Sequence, residues 1–552
     1  MLDPRKSPAL GWILGVAIAA AIGLGAPPAE ARSFLSRCTG GAGSETVAVS
    51  AARPTSADCT VITLPVEPNE VLAAVPAPRR PANAPEPDAI AVTGRTGEGG
   101  FSILEVAISP ASATAPPPYL VPGADLRTIS APRLLGSSER AKLSADGEQT
   151  VLDCAPGAEQ AGFALGAVRV PPIPGMSLRL VHSAEHNFRL AVMRAGGSEE
   201  PRLLTKLKTA ETTTEAQVPL PAELPSDTPL EFEMLCPAEG GHLALGAFVL
   251  EAKTAVPPYR AAWARDAALW MKDPATLFTR AQHWGITRLY ADVPVGEHGL
   301  ADPQALAGFI AAAGERGIAV WAMLIDDGDG ARLARAAAAL SDYNAGMPRE
   351  AQIKGVLVER APDRLWIYVP DPGAEAQRLL DRLERLKPLL DMPLAAAVPS
   401  WFPTDVSVAD RMATVLDGLT VISNRTEPSE IRRSVARFLG WGARHGRRVD
   451  VALEAMPIAD AERRSFRRDA AGEAWLVPLG SSEALILLKE AREGLPGRAF
   501  RGGEVAPVPA ASRSFAGDHA ALREGLGSLG RTLGAWPSFG GFAFHGLLRG
   551  PP

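Results

Sequence analysis

The chain lacks the features that mark several common classes of protein. It has no dense block of lysine or arginine, and 56 basic against 62 acidic residues give a net charge of −6. Such a composition argues against nucleic acid as a partner, because phosphate binding requires a basic patch. No Cys-x-x-Cys pair occurs, and the aspartates and histidines lack the spacing of metal ligands, so we expect no metal and no cofactor.

Long apolar runs are absent too, except at the N-terminus. Arg5 and Lys6 precede an apolar run from Leu10 to Ala26, and Ala29-Glu30-Ala31 fits an A-x-A cleavage site. We predict a signal peptide over residues 1–31, cleaved after Ala31, and a periplasmic or secreted bacterial protein. An uncleaved membrane anchor is the alternative, because a run of about 17 residues is close to the length of a span.

Cysteine is scarce, with four residues in 552. In an exported protein an even number of cysteines indicates disulfides, and four allow three pairings. We favour Cys38–Cys59 and Cys154–Cys236, because each pair then falls within one segment of the chain.

The segments before residue 259 contain few helical patterns. Residues 32–126 show little periodicity, and the Pro/Ala-rich stretch 76–87 predicts an extended, mobile linker. Residues 127–252 form a series of short alternating runs separated by turns such as Gly196-Gly197 and Gly240-Gly241. This spacing predicts an all-β sandwich, which we consider a candidate carbohydrate-binding domain.

From residue 259 to the end, apolar runs alternate with helical stretches, which predicts a (β/α)8 TIM-type barrel. Asp-Pro pairs at 273–274 and 302–303 predict helix starts. An insertion between the seventh and eighth strands contains two more apolar runs, for which we expect a small strand–helix element. The eight predicted strands are Ala261–Ala264, Ile286–Val293, Ile318–Ile325, Ile353–Glu359, Pro393–Pro399, Gly418–Ser423, Val449–Glu454 and Phe539–Phe544.

Polar and aromatic residues follow these strands, where a barrel carries its active site. Glu359 and Glu454 close the fourth and seventh strands, and two carboxylates at strand ends are what glycoside hydrolysis requires. We predict these two as catalytic residues. The predicted substrate-binding residues are Trp263, Asp292, Arg360, Trp401, Asn424, Arg425 and His545, and other residues at strand ends are Arg265, Asp266, Asp326, Asp327 and Asp363.

Several of these residues also have structural interpretations. Asp326 and Asp327 precede Gly328 and are typical of turns and caps, while His545 is compatible with a hydrogen-bonded core histidine. Arg360 lies beside Glu359, so the two can instead form a structural ion pair.

The order of motifs in residues 259–546 resembles that of bacterial TIM-barrel, glycoside-hydrolase-like proteins, which are often attached to exopolysaccharide or secretion systems. The matching stretches are Asp273-Pro-Ala-Thr-Leu-Phe, Trp284-Gly-Ile-Thr-Arg-Leu-Tyr, Asp302-Pro-Gln-Ala-Leu, Arg316-Gly-Ile-Ala-Val-Trp-Ala-Met, Gly355-Val, Val421-Ile-Ser-Asn-Arg-Thr, Val451-Ala-Leu-Glu454 and Gly540-Gly-Phe-Ala-Phe-His545. The resemblance implies a barrel that acts on, or binds, a polysaccharide or oligosaccharide.

One position departs from that resemblance. Proteins of this type end the fourth strand in Asp-x-Glu-Pro, which places Glu359 at the Asp position and Ala361 at the Glu position. Glu359 would have to replace a general acid that belongs about 6.6 Å further along the strand. Glu454 matches the pattern on the seventh strand.

Three hypotheses follow for the function. The first is an exported glycoside hydrolase with Glu454 as nucleophile or base and Glu359 as acid. The second is a catalytically degenerate protein that binds glycans or serves as an envelope scaffold. The third is a protein-assembly factor of the cell envelope. The sequence identifies neither the sugar and its linkage nor the oligomeric state.

Overall fold

A computed structural model of the chain describes residues 33–39, 45–80, 85–97, 100–109, 117–197, 200–225, 228–252, 259–265, 267–296, 299–360 and 368–549. These residues divide into two compact units. The first unit contains residues 33–109, 368–370 and 461–507, and the second contains 117–360, 371–460 and 508–549. The predicted signal peptide lies outside the described residues.

The strands, in chain order, are β1 (Ser33–Thr39), β2 (Glu45–Ser50), β3 (Cys59–Leu64), β4 (Val71–Pro76), β5 (Ala89–Gly97), β6 (Gly100–Ser109), β7 (Arg133–Leu135), β8 (Ala141–Asp146), β9 (Gln149–Cys154), β10 (Gly162–Arg169), β11 (Ser177–Ala184), β12 (Arg189–Arg194), β13 (Arg202–Lys206), β14 (Ala210–Pro219), β15 (Pro229–Leu235), β16 (Gly241–Glu251), β17 (Tyr259–Ala264), β18 (Arg288–Asp292), β19 (Val295–Gly296), β20 (Gly299–Leu300), β21 (Ala319–Asp326), β22 (Val356–Arg360), β23 (Leu394–Pro399), β24 (Gly418–Ser423), β25 (Arg448–Glu454), β26 (Ala461–Asp469), β27 (Gly472–Leu479), β28 (Ser482–Arg492), β29 (Arg498–Val508) and β30 (Phe539–His545).

The helices of the described residues are α1 (Leu126–Ile129), α2 (Ala267–Lys272), α3 (Pro274–His283), α4 (Pro303–Gly314), α5 (Gly330–Gly346), α6 (Pro372–Leu386), α7 (Val406–Val415), α8 (Pro428–His445) and α9 (His519–Leu533), together with short 3-10 turns.

The first unit joins two distant parts of the sequence in one sheet. Its seven strands follow the order β4-β28-β27-β29-β26-β5-β6, so the N-terminal strands flank strands from the barrel insertion. Strand β27 buries Trp475 and Val477 in one apolar cluster and Leu476 in another. Trp475, Leu476 and Val477 are all apolar because both faces of β27 are covered. A three-stranded sheet, β2-β1-β3, contributes Leu35 and Leu64 to the first of these clusters.

Two predictions about this unit are wrong. Residues 32–126 were expected to be poorly structured, whereas their described part contains β1–β6. The insertion was expected to be a strand–helix element, whereas residues 461–507 supply four strands, the last of which ends just beyond, at Val508. At the start of the predicted Pro/Ala linker, the backbone N–H of Ala77 donates to the carbonyl oxygen of Glu483 at 2.9 Å, so the chain is held there. Residues 81–84 of the linker lie outside the described part.

The second unit begins with the predicted β-rich segment. Two five-stranded antiparallel sheets, β13-β12-β15-β10-β7 and β14-β11-β16-β9-β8, share one apolar core. Phe232 and Phe248 meet edge-to-face across it at 5.9 Å. This arrangement agrees with the predicted sandwich, because strands that alternate apolar and polar residues bury one face against a second sheet.

The rest of the second unit contains a closed barrel of eight parallel strands, in the order β17-β18-β21-β22-β23-β24-β25-β30. All eight predicted strands are present, which confirms the barrel. Helices α3, α4 and α6 each begin at an Asp-Pro pair, where Asp273, Asp302 and Asp371 accept a hydrogen bond from the backbone N–H three residues on. Outward side chains of the strands pack against these helices in the largest core.

Both predicted disulfides are present, Cys38–Cys59 between β1 and β3 and Cys154–Cys236 in the sandwich. Disulfides are typical of proteins from oxidising compartments, which agrees with the predicted periplasmic or secreted location. Among the described residues, no helix has the length and apolar character that a membrane span requires.

Candidate functional site

The alternation of side chains along the barrel strands determines which polar residues face the interior. Trp263, Leu357, Ile422, Ala452 and Ala543 belong to the apolar cluster inside the barrel. Because successive side chains of a strand point to opposite faces, residues two positions further on face the interior as well. At the C-terminal end these inward positions are occupied by Arg265, Asp292, Glu359, Asn424, Glu454 and His545.

Glu359 is fully buried at this end, with 0% of its surface exposed. The indole Nε1–H of Trp263 donates to its Oε2 at 2.9 Å, and Nη2 of Arg265 donates to its Oε1. Burial raises the pKa of Glu359, while the charge of Arg265 acts in the opposite direction. A carboxyl group with a raised pKa is a property of general acids, but this one already has hydrogen-bond partners on both oxygens.

Glu454 is 2% exposed and is held in a similar way. The backbone N–H of Met456 donates to its Oε1 at 2.8 Å, and Nδ1 of His545 lies 2.8 Å from its Oε2. Nε of Arg265 donates to Nε2 of the same imidazole. A guanidinium can only donate, so Nε2 of His545 accepts from Arg265 and Nδ1 of the same ring donates to Glu454.

These contacts form one continuous chain, which we call the rim network: Trp263, Glu359, Arg265, His545 and Glu454. The edge of the Trp263 ring also packs against His545, with centroids 5.7 Å apart. Closure of the barrel makes this possible, because β30, which carries His545, pairs with β17, which precedes Arg265. The two predicted catalytic glutamates are therefore linked through a guanidinium and an imidazole.

Asn424 contributes a buried acceptor to this end of the barrel. Its Oδ1 is buried and has no hydrogen-bond partner among the described residues. Asn424 follows β24, which pairs with β25 and places it beside the end of the strand that carries Glu454. A buried acceptor without a donor costs free energy, so a ligand with a hydroxyl or amide N–H would find a favourable contact there.

Three predicted binding residues lie away from the barrel interior. Nη2 of Arg360 pairs with Oε1 of Glu375 on α6 at 3.3 Å, and its guanidinium lies 5.9 Å from the ring of Trp401. Trp401 packs partly against the core between strands and helices. Arg425 is exposed and lies 3.6 Å from Glu430. Arg360 follows Glu359 directly, so strand alternation turns it to the opposite face.

The remaining residues at strand ends have individual outcomes. Asp292 faces the interior, and its carbonyl oxygen accepts a hydrogen bond from Nε1 of Trp270 at 2.9 Å. Asp326 pairs with Arg382 on α6 at 2.7 Å, and Asp327 pairs with Arg332 at 2.9 Å, which agrees with their structural interpretation. Asp266, Ala361 and Asp363 lie outside the described residues.

Sequence reasoning did not assign Arg265 a role in the site, although it connects both glutamates. Counting two residues from Trp263 along the strand would have indicated it. A second group of buried polar residues was missed entirely, at the N-terminal end of the barrel. There Asp450 accepts hydrogen bonds from the hydroxyls of Tyr259 and Tyr290, and Arg288 lies 3.6 Å from it. We call these four residues the floor cluster.

The carboxylate of the floor cluster is 5% exposed, and burial raises its pKa. The guanidinium of Arg288 lies 4.3 Å from the ring centres of both Tyr259 and Trp321. A buried polar group at this end of a barrel serves stability, because ligands bind at the opposite end.

Comparisons with known proteins identify no family for the chain. No family model matches it, and no curated protein is significantly similar. Similar solved structures include a family 29 carbohydrate-binding module from Piromyces equi, at 17% identity over 22% of this chain and 80% of that one, with a TM-score of 0.18. Another is a variant of the module CBM29-2 complexed with mannohexaose, at 14% identity over 24% and 86%, also with a TM-score of 0.18. Likenesses of this size support no functional argument.

Proposed function

We propose that the barrel binds a polysaccharide or oligosaccharide at its C-terminal rim, and that its two glutamates hold binding groups in place instead of cutting a glycosidic bond. The observation that carries this proposal is the state of the two carboxylates. Both are almost fully buried, and each of the four carboxylate oxygens already accepts a hydrogen bond from the protein.

Hydrolysis by two carboxylates requires one on each side of the scissile bond, with space for the sugar between them. In this barrel Arg265 and His545 bridge the two groups instead. A sugar ring would have to displace the guanidinium of Arg265 and leave the buried carboxyl of Glu359 without that partner, at a cost of about 1–3 kcal/mol. The same bridging groups are suited to binding, because their positions are fixed before the ligand arrives.

Oδ1 of Asn424, which has no hydrogen-bond partner among the described residues, supports a saccharide as the ligand. Sugar hydroxyls are donors as well as acceptors, so a hydroxyl can satisfy Oδ1 of Asn424 while accepting from a neighbouring group. The predicted export of the chain is consistent with a polysaccharide partner outside the cytoplasm.

Titration calorimetry of the full chain with a panel of soluble bacterial polysaccharides and their oligosaccharides tests this proposal. We expect saturable binding, loss of at least tenfold in affinity for Asn424→Ala, and little change for the matched control Arg425→Ala, the next residue along. A reducing-end assay on the same mixtures should detect no product. If no saccharide binds, or if both variants behave alike, the proposal is wrong.

A second candidate function is glycoside hydrolysis, and the raised pKa of Glu359 is the observation that favours it. This candidate requires that substrate binding open the rim network. It expects reducing ends from the wild type and none from Glu359→Gln or Glu454→Gln, with all three proteins folded by circular dichroism. Binding without product in the wild type would reject hydrolysis and retain the first proposal.

A further inference from the structure

A cavity of about 420 Å³ opens at the C-terminal ends of β18 and β21, beside the N-terminal turns of α5. Its volume falls in the range of small-molecule pockets. About half of the wall is apolar: Val293 follows β18, Met323 and Ile325 come from β21, and Leu333 and Ala336 come from α5. The cavity belongs to the barrel mouth but lies away from the strands that carry Glu454 and Asn424.

Three charged side chains line the same cavity: Asp292, Arg332 and Arg335. Arg332 is occupied, because its Nη2 lies 2.9 Å from Oδ2 of Asp327. Arg335 is exposed, and its charge acts on Asp329 at the start of α5. The cavity therefore contains a guanidinium, which has about five N–H donors, and a carboxylate, whose two oxygens can accept about four hydrogen bonds.

The distribution of charge argues against an anion as the ligand. Asp292 lines the cavity itself, and Asp327 and Asp329 flank the start of α5, so three carboxylates stand near two guanidinium groups. A plain hexose can place a C–H face on the apolar half of the wall, whereas an N-acetyl group brings a methyl group together with a carbonyl acceptor and an amide donor. A group that suits all parts of this cavity combines an apolar end, a hydrogen-bond acceptor and a hydrogen-bond donor.

We propose that this cavity binds the acetamido group of an N-acetylated sugar, an inference that rests on the proposed function. The methyl group would pack against Met323, Leu333 and Ala336, and the carbonyl oxygen would accept from Arg335. The amide N–H or a neighbouring hydroxyl would donate to Asp292. Each part of the substituent then meets a side chain of matching chemistry.

Saturation-transfer NMR on the full chain tests this directly, with N-acetylglucosamine, N-acetylgalactosamine and N-acetylmannosamine against glucose, galactose and mannose. We expect at least one N-acetyl sugar to bind about tenfold or more tightly than its parent hexose, with its acetyl methyl as the most strongly saturated signal. Ala336→Leu fills part of the cavity and should abolish that preference. Ala338→Leu, an exposed position on the same helix, is the matched control and should keep it.

The outcomes distinguish failure of the acetamido site from failure of the proposed saccharide-binding function. Equal binding of N-acetyl sugars and hexoses, or loss of the preference in Ala338→Leu as well, would overturn the acetamido site alone. Loss of the preference only in Ala336→Leu and a weaker preference in Arg335→Ala would support it. If neither these sugars nor any polysaccharide of the calorimetric panel binds, the proposed function is wrong and the inference with it.

Discussion

The two ends of the barrel hold similar charged groups in different surroundings. Each has a buried carboxylate and an arginine, Asp450 with Arg288 at the floor and Glu359 with Arg265 at the rim. At the floor, Oδ1 of Asp450 faces the backbone so closely that a Cβ on Gly540 would lie 2.2 Å from it. Oδ1 of Asp450 and Oδ1 of Asn424 both lack a hydrogen-bond partner among the described residues. At the C-terminal end a cavity also opens, on the side of β18 and β21. The two ends thus share a buried acceptor without a described partner, and they differ in that the floor is closely packed whereas the mouth has space for a ligand.

The largest expected effect is at the floor. Asp450→Ala leaves the guanidinium of Arg288 and two phenol hydroxyls buried without their acceptor, and a guanidinium cannot lose its charge. We expect a loss of about 3–5 kcal/mol in the free energy of unfolding, measured by urea denaturation. A loss below 1 kcal/mol would show that the floor cluster does not stabilise the barrel.

The corresponding change at the rim, Arg265→Ala, should cost less stability. The substitution leaves Glu359 without its cationic partner, but that carboxyl can take up a proton, because burial already raises its pKa. We expect a loss of about 1–3 kcal/mol in the same urea experiment, together with loss of saccharide binding. Arg265→Lys is the control, since it restores charge but not the two-ended contact with His545 and Glu359. If the rim variant is the less stable one, the comparison is reversed.

Packing at the floor can be tested separately from charge. Gly540→Ala places a methyl group against Asp450 and Tyr259, and the backbone of the strand has to shift. We expect about 1–2 kcal/mol of destabilisation, measured as a lower midpoint of urea unfolding. Gly308→Ala, in open space on α4, should not destabilise and serves as the control.

The smallest expected effect is the dependence of stability on pH. Burial raises the pKa of both Glu359 and Asp450, so the folded chain binds more protons than the unfolded chain above about pH 4. Stability contributed by these groups therefore falls as the pH rises through their raised pKa values, by at most about 1.4 kcal/mol per pH unit and group. Glu359→Gln and Asp450→Asn should each flatten the profile of unfolding free energy against pH, and the larger flattening identifies the end with the higher pKa. If the profile of unfolding free energy against pH keeps its slope in both variants, the raised pKa values of Glu359 and Asp450 are contradicted.

Local pattern was sufficient to predict the barrel strands and the helix starts. The strands are short apolar runs between helices, and Asp302-Pro303 begins a helix by chemistry that involves only adjacent residues. Residues 32–126 were mispredicted for the opposite reason. Strand β5 pairs with β26, about 370 residues later, and no local signal reports such a partner.

The sequence identified several residues of the candidate site but not the contacts that join them. Glu359 and Glu454 were recognised at strand ends, and strand alternation would have separated Arg360 from the interior. The link through Arg265 and His545 depends on the pairing of β17 with β30, the first and last strands of a closed barrel. Contacts of this kind arise only when the barrel closes.

The sheet of the first unit can form completely only after most of the chain has been synthesised. Strand β6, the last of the N-terminal strands of this sheet, ends at Ser109, and the strands β26 to β29 that complete the sheet begin at Ala461, after most of the barrel has been made. At about 5–20 residues per second, the N-terminal strands wait roughly 20–70 s for their partners. Their apolar faces stay without a native sheet for that time, a period in which chaperones or early folding of the barrel would matter most.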